Sequence, residues 1–229
     1  MRFGVLAPMP SELRPVVKAF GLDKASREGQ VGPHQVVAAK TGIGIDLATK
    51  AATRLVDRGD IDHVVVVGIA GGLGPTSPVG AMVIPEAVED WPDGRSLVPA
   101  KLGELTNKGI IVSSDEYGYR PEVVEAFLGR GVVAVDMETV AVAKVCEGRG
   151  IPWSAVRAIS DPADGPTVDT DVITLVKPDG TPDTRKAIRY LLRHPRKLPA
   201  MAKMGRDATA AAKNAAEAAA EAIAEHPAT

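Results

Sequence analysis

Three carboxylates stand at the ends of apolar runs in this sequence: Glu12 just after "RFGVLA", Glu138 just after "VVAVD", and Asp161 closing "PWSAVRAISD". A carboxylate in such a place costs several kcal/mol if it is buried without a partner. It therefore serves as a cap, an ion pair or a ligand group. If the three converge, they supply what acid–base chemistry needs, one group to give a proton and another to take one. Each also has a plain structural role open to it. Glu12 could stabilise a helix N-terminus through the helix dipole. Asp136 and Glu138, set around Met137, could cap a helix starting near Thr139. Arg157 and Asp161 are four residues apart, share a strand face, and could form an ion pair. Two Gly-rich stretches, "TGIGIDLA" and "GIAGGLGP", let a ligand approach the backbone. Neither is a GxGxxG dinucleotide fingerprint or a phosphate-binding P-loop.

The elements that would position these residues alternate between short β-branched runs and segments of helical spacing, the pattern of an α/β chain. "RFGVLA" predicts a first strand and "SELRPVVKAF" a helix with Ser11 as N-cap and Pro15 near its first turn. "HQVVAAKTG" predicts a strand, "GIDLATKAATRLVDRG" a helix, and "HVVVVGIAGG" a strand apolar enough to be covered on both faces. Further strands are predicted at "AMVIPEAVE", "GIIVSSD", "VVAVDME" and "PWSAVRAISD", with helices at "PEVVEAFLGRG" and "TVAVAKVCEGRG". Polar or Gly-rich residues follow most strands at their C-terminal ends, where open α/β sheets bind ligands. Residues 162–170 read equally as a loop beside a site or a surface connection. A turn and two short helices, separated by Pro195 and Pro199, follow Lys177. The Ala-rich end predicts a solvated, partly frayed helix. No linker divides the chain, which is organised as residues 1–176 and a helical extension, 177–229, packed on the same domain.

The chain has 229 residues, 45% of them hydrophobic, enough for one sizeable core. With 27 basic and 29 acidic residues it has no overall bias toward nucleic acid or an anionic membrane. Its single cysteine, Cys146, cannot form an internal disulfide, and "MRFGVLAPMP" lacks the features of a signal peptide. The apolar run "VVVVGIA" is too short to span a bilayer. These features predict a soluble cytoplasmic protein with a small-molecule partner, no nucleic-acid partner and no membrane span.

The order of motifs is more specific than any one of them. "GVLAPMPSEL", "TGIGIDLATKAAT", "VVGIAGGL", "VGAMVIPEAV", "GIIVSSDEY", "VAVDMETVAVAKVCEGRGIPW" and "VRAISDPAD" together resemble the nucleoside phosphorylase/nucleosidase superfamily, most of all its 5'-methylthioadenosine/S-adenosylhomocysteine nucleosidase branch. The tail, "KPDGTPD…LLRHPRKLPAMAKMGRDA", is similar to the end of the hopanoid-associated, adenosylhopane-cleaving members. The resemblance implies a three-layer fold with a mixed, twisted central sheet flanked by helices, a homodimer, and hydrolysis of the N-glycosidic bond of a 5'-substituted adenine nucleoside without metal or cofactor. It implies that Asp161 is the acid toward adenine N7, with a raised pKa, and Ser160 its neighbour in the site; that Glu12 is the base directing water to C1'; and that Glu138 binds the ribose hydroxyls. Met137 would pack on the sugar, Ile43 line the pocket, Tyr117 stack on adenine, and Arg157 keep Glu138 ionised. Ile69 stands where that branch usually has a hydroxyl residue, and Pro8 and Pro10 where it usually has small or acidic ones. The alternatives are a purine nucleoside phosphorylase, which "GIAGGLGPTS" disfavours because it holds no phosphate-binding arginine, an adenosylhopane- or futalosine-type hydrolase, and a catalytically silent nucleoside-binding protein.

Overall fold

In the computed structural model the described residues are 1–75, 77–116, 119–162, scattered positions between 177 and 190, and 193–228. The first strand, β1 (Arg2–Ala7), is followed by α1 (Pro10–Ala19), the hairpin strands β2 (Glu28–Val31) and β3 (His34–Lys40), α2 (Ile45–Val56) and the long strand β4 (His63–Gly72). Then come β5 (Met82–Val83), β6 (Ala87–Asp90), β7 (Ser96–Leu97), β8 (Ile110–Ser113), α3 (Pro121–Gly129), β9 (Val132–Asp136), α4 (Thr139–Arg149), β10 (Trp153–Pro162) and a C-terminal helix, α5 (Leu198–Ala224).

The uniformly apolar β4 is covered on both faces, as its composition requires. Val64 and Val66 face a core shared with Ala48, Ala52 and Leu55 of α2 and Val140 to Ala143 of α4. Val65 and Val67 face a second core with Leu13 and Val16 of α1 and Ala211, Ala215 and Ala219 of α5. The result is three layers, helices on each side of a mixed ten-stranded sheet.

The centre of that sheet is two parallel blocks running in opposite directions, with β2, β5 and β7 paired antiparallel to them. β3, β1, β4 and β10 form one, and β6, β8 and β9 the other. They meet where β9 pairs antiparallel with the end of β4, Gly71 opposite Val135 and Gly72 opposite Ala134. β9 therefore runs back along β4, carrying the residues after Asp136 toward Gly68. Ligand sites form at such changes of strand direction.

Several expectations change. Met9, not Ser11, is the N-cap of α1, with Pro10 in the first turn and Pro15 inside the helix. "AMVIPEAVE" splits into β5 and β6 around Pro85, which cannot donate to a ladder. Pro199 lies in the first turn of α5 rather than separating two helices, and Pro195 opens a short 3-10 turn, Pro195–Lys197. The Ala-rich end is not a solvated, frayed helix: α5 is one 27-residue helix whose Ala211, Ala212, Ala215, Ala216, Ala219 and Ala222 are buried with Ile223. Low apolar bulk was misleading because a methyl-only stripe lets a helix axis approach the sheet closely. Small residues bury well where nothing larger fits. Residues 163–170 of the Pro/Asp/Gly/Thr segment lie outside the described residues.

Candidate active site

Arg157, on β10, is wholly buried and organises the site. Its register partner on β4 is Gly68, and the absence of a side chain there lets the guanidinium reach across the strand. A Cβ at Gly68 would lie 2.2 Å from Glu12 Oε1 and 2.8 Å from Arg157 Nη1. On the far side of β4, Arg157 donates to Asp136 Oδ2 from Nε at 3.0 Å and lies within 2.7 Å of it through Nη2. Nη2 also donates to Thr139 Oγ1 at 3.0 Å and reaches Glu138 Oε2 at 3.5 Å. Nη1 is 3.9 Å from Glu12 Oε1 and has no hydrogen-bond partner among the described residues.

Asp136 is the scaffold of this cluster. Its Oδ1 accepts from Ser113 Oγ at 2.6 Å and from the backbone N–H groups of Glu138 and Thr139, the first turn of α4. Its Oδ2 also accepts a short hydrogen bond from Thr139 Oγ1. With its lone pairs filled, Asp136 has little left for a ligand.

Glu12, at the third position of α1, accepts from the Met9 N–H at 2.8 Å and from the Ile69 N–H at 2.9 Å. It is held at both oxygens and buried. Burial pushes its pKa up to about 7, against the opposing pull of Arg157 and the two backbone donors. Glu138 accepts from the Gly44 N–H at 3.1 Å, which ties it to the Gly-rich turn before α2. Its pKa goes up to about 8, first through burial, with Asp136 and Glu12 adding to the rise and Arg157 opposing it. Arg157 was expected to keep Glu138 ionised. Instead one guanidinium is shared among three buried carboxylates and lies nearest Asp136. Burial would lower the pKa of Arg157, but those carboxylates together raise it.

Asp161 lies further along β10, past a register shift: Ile159 pairs with Ala70 and Asp161 with Gly71, leaving Ser160 as an extra residue. Such a bulge breaks the two-residue alternation that would have kept Asp161 on the face of Arg157, and it re-aims the side chain. The ion pair that their spacing left open is not formed; Arg157 pairs with Asp136, and Asp161 Oδ1 accepts a short hydrogen bond from Ser160 Oγ. Burial raises the pKa of Asp161, with the Ser160 hydroxyl opposing.

The structure thus brings Glu12, Glu138 and Arg157 into one cluster, with Asp161 and Ser160 at the end of the strand that carries Arg157. Met137 and Ile43 are half-buried in the two segments flanking Glu138 and Gly44. The side chain of Ile69 packs with the α1/α5 core, so this residue meets the site through its backbone N–H on Glu12. Tyr117 lies outside the described residues. Sequence reasoning missed Gly68, Thr139, Ser113 and Asp115. Asp115 Oδ1 accepts the Ile45 N–H at 2.8 Å and so caps α2 from another loop. A glycine inside "HVVVVGIAGG" and a polar pair closing "IIVSSD" were the available signals.

A family model described as the phosphorylase superfamily matches residues 2–101 and 99–193. A 5'-methylthioadenosine/S-adenosylhomocysteine nucleosidase of Actinobacillus succinogenes is 29% identical over 72% of this chain and 87% of its own. An Exiguobacterium protein of the same name is 30% identical over 60% of this chain and 72% of its own. Among solved structures, the Neisseria meningitidis nucleosidase of that name, in complex with methylthio-immucillin-A, superposes with a TM-score of 0.70 at 22% identity, covering 97% of this chain and 98% of its own. Helicobacter pylori futalosine hydrolase gives 0.66 at 17%, covering 95% and 94%. At these identities the solved structures show a shared fold.

Proposed function

This chain belongs to the phosphorylase superfamily, and from that premise we propose that it hydrolyses the N-glycosidic bond of a 5'-substituted adenine nucleoside, releasing adenine. The observation that carries the reading is the buried pair Glu12 and Glu138 on either side of Arg157, whose Nη1 has no partner among the described residues. A water held between Nη1 and Glu12 is polarised toward attack, and Glu12, with a pKa near 7, is matched to take its proton at neutral pH. As the bond from C1' to N9 breaks, Asp161 delivers a proton to adenine N7, and the water oxygen bonds to C1'. The sugar acquires oxocarbenium character, the situation of glycoside hydrolysis transposed to a C–N bond. Glu138, in its ionised form, accepts hydrogen bonds from the ribose hydroxyls and places its charge close to the developing cation. Turnover leaves Glu12 protonated and Asp161 ionised, and exchange with solvent restores both.

Water is favoured over phosphate as nucleophile because three buried carboxylates face a single guanidinium. A phosphate there would find one guanidinium already engaged by carboxyl groups, and Arg14 is exposed on α1. The relatives named 5'-methylthioadenosine/S-adenosylhomocysteine nucleosidase support an adenine nucleoside with a sulfur-linked 5' group. A cytoplasmic homodimer accompanies this reading.

The test is adenine release, followed by chromatography, from methylthioadenosine, S-adenosylhomocysteine, adenosine, inosine and futalosine, with and without phosphate. Release from the first two without phosphate, lowered by about 10²- to 10⁴-fold in Asp161→Asn and in Glu12→Gln, is the expected result. Formation of a sugar 1-phosphate that required added phosphate would overturn hydrolysis.

A further inference from the structure

Between α2 and the end of β3 lies a cleft of about 330 Å³, the size of a small-molecule site, and none of its lining residues belongs to the cluster around Arg157. It opens where the hairpin comes apart: β2 starts at Glu28, opposite Val37, while β3 runs on to Lys40. The lining sets Val37 and Leu55 among four cations, Arg27, Lys40, Arg54 and Arg58, and includes no Asp or Glu. The whole chain carries a formal net charge of −2, so this concentration of positive charge is local. Arg58 is already compensated, because it pairs with Glu28 and Asp60, acids that also serve Arg2. Arg27 and Arg54 form no ion pair among the described residues. Arg54 Nε donates to the Lys50 carbonyl at 3.1 Å, which leaves the outer guanidinium nitrogens for a ligand. Two features here weigh against the fold and are accounted for by an anionic ligand. Arg54 and Arg58 stand four residues apart on α2, where like charges repel. Arg27, alone among the described non-glycine residues, has a left-handed backbone, φ 58°, a conformation that glycine adopts at lower cost. Its N–H donates to the Asp23 carbonyl at 2.8 Å and its own carbonyl accepts from the Ala38 N–H at 2.9 Å, so its backbone is fixed beside the end of β3.

We propose that this cleft binds a small organic phosphate monoester, its phosphate between Arg27 and Arg54 and its apolar body against Val37 and Leu55. A phosphate monoester carries about two negative charges and three acceptor oxygens, which matches two guanidinium groups that the chain leaves without a counter-charge. Planar guanidinium forks bind pairs of such oxygens. A single carboxylate would satisfy one of the two and leave the other. Duplex nucleic acid is held by cations spaced along its backbone, whereas these converge on one cleft.

The experiment is isothermal titration calorimetry of the full chain, without nucleoside, against phenyl phosphate, inorganic phosphate and phenol. The expected result is saturable binding of one phenyl phosphate per chain, weaker binding of inorganic phosphate and none of phenol. Arg27→Gly and Arg54→Gln should each weaken phenyl phosphate by about tenfold or more. Arg14→Gln with Lys18→Gln, which removes exposed cations from α1, should leave it unchanged. The thermal midpoint of Arg27→Gly should stay that of the parent or rise, because glycine suits the left-handed backbone, so binding lost there is not folding lost. No saturable binding of phenyl phosphate would overturn the proposal, as would binding intact in both cleft variants. Equal weakening in the α1 variant would overturn it too, by marking general charge attraction, and so would phenol bound as tightly as phenyl phosphate. No turnover enters the measurement, so a failure here leaves the proposed hydrolysis untouched, and the reverse.

Discussion

Glu12 illustrates how one carboxylate can be structural and chemical at once. The two backbone N–H groups that fix its oxygens come from the start of its own helix and from Ile69 in β4, so its position does not depend on a ligand. Its raised pKa makes a direct prediction. A base must be ionised to act, so kcat/KM for adenine release should fall about tenfold per pH unit below a midpoint near pH 7. In Glu12→Gln the small remaining activity should lose that limb, as a pH–rate profile would reveal. Gly68 gives a second test at this scale. Its missing side chain is occupied by Glu12 and Arg157, so Gly68→Ala must displace a buried carboxylate at 2.2 Å. We expect a loss of activity of at least about 10²-fold, with a stability cost of roughly 1–3 kcal/mol measured by denaturant unfolding. Ala at exposed Gly80, in the turn before β5, which meets nothing within 4 Å, bears on turn strain alone and should leave the activity in place.

At the scale of elements, the strand that carries Arg157 and Asp161 and the helix that covers it decide the architecture. The bulge at Ser160 separates the two charged residues that an unbroken strand would have placed on one face. α5 contributes its alanine stripe to the core behind β10, where Val156 and Ala158 meet it. A larger side chain there has no room. Ala215→Leu should destabilise by about 1–3 kcal/mol through overpacking, whereas Asn214→Leu, on the exposed face one residue earlier, should stay within about 0.5 kcal/mol. Thermal unfolding of the pair distinguishes a core helix from a solvated one.

For the whole molecule, the buried ionisable groups make stability depend on pH in two opposed ways. Glu12 and Glu138 keep their protons in the folded state to about pH 7 and 8, against 4.5 as the ordinary value. Their contribution is fully present below the unfolded value and is lost as pH rises through the folded ones. His63, buried between β1 and β10 and near His226, has its pKa lowered to about 4, first by burial. Its neutral form favours the fold above pH 6.5, and that contribution is lost as pH falls toward 4. With two glutamates losing stabilisation and one histidine gaining it as pH rises above about 4.5, the thermal midpoint should fall by on the order of 5 °C or more between about pH 5 and pH 8.5. Glu138→Gln should flatten the alkaline fall, as scanning calorimetry across this range would show.

Local pattern alone was enough to place most strands and helices, because periodicity and punctuation by Gly and Pro act within a few residues. It also put carboxylates at three strand ends, where a site had to form. It did not reveal the short strands β2 and β7, which carry too few residues for a period. The burial of the Ala-rich helix was hidden for another reason: propensity reports how readily a helix forms and says nothing of what it packs against. The partners within the site were out of reach in the same way. That Arg157 meets Asp136 rather than Asp161 follows from β9 running back along β4, from the glycine between them at 68, and from one extra residue at 160. The sequence by itself determined which residues could do chemistry and which elements carry them. Only the tertiary structure decided which of them meet, because strand order, direction and register are set by the packing of distant segments and bring together groups more than a hundred residues apart.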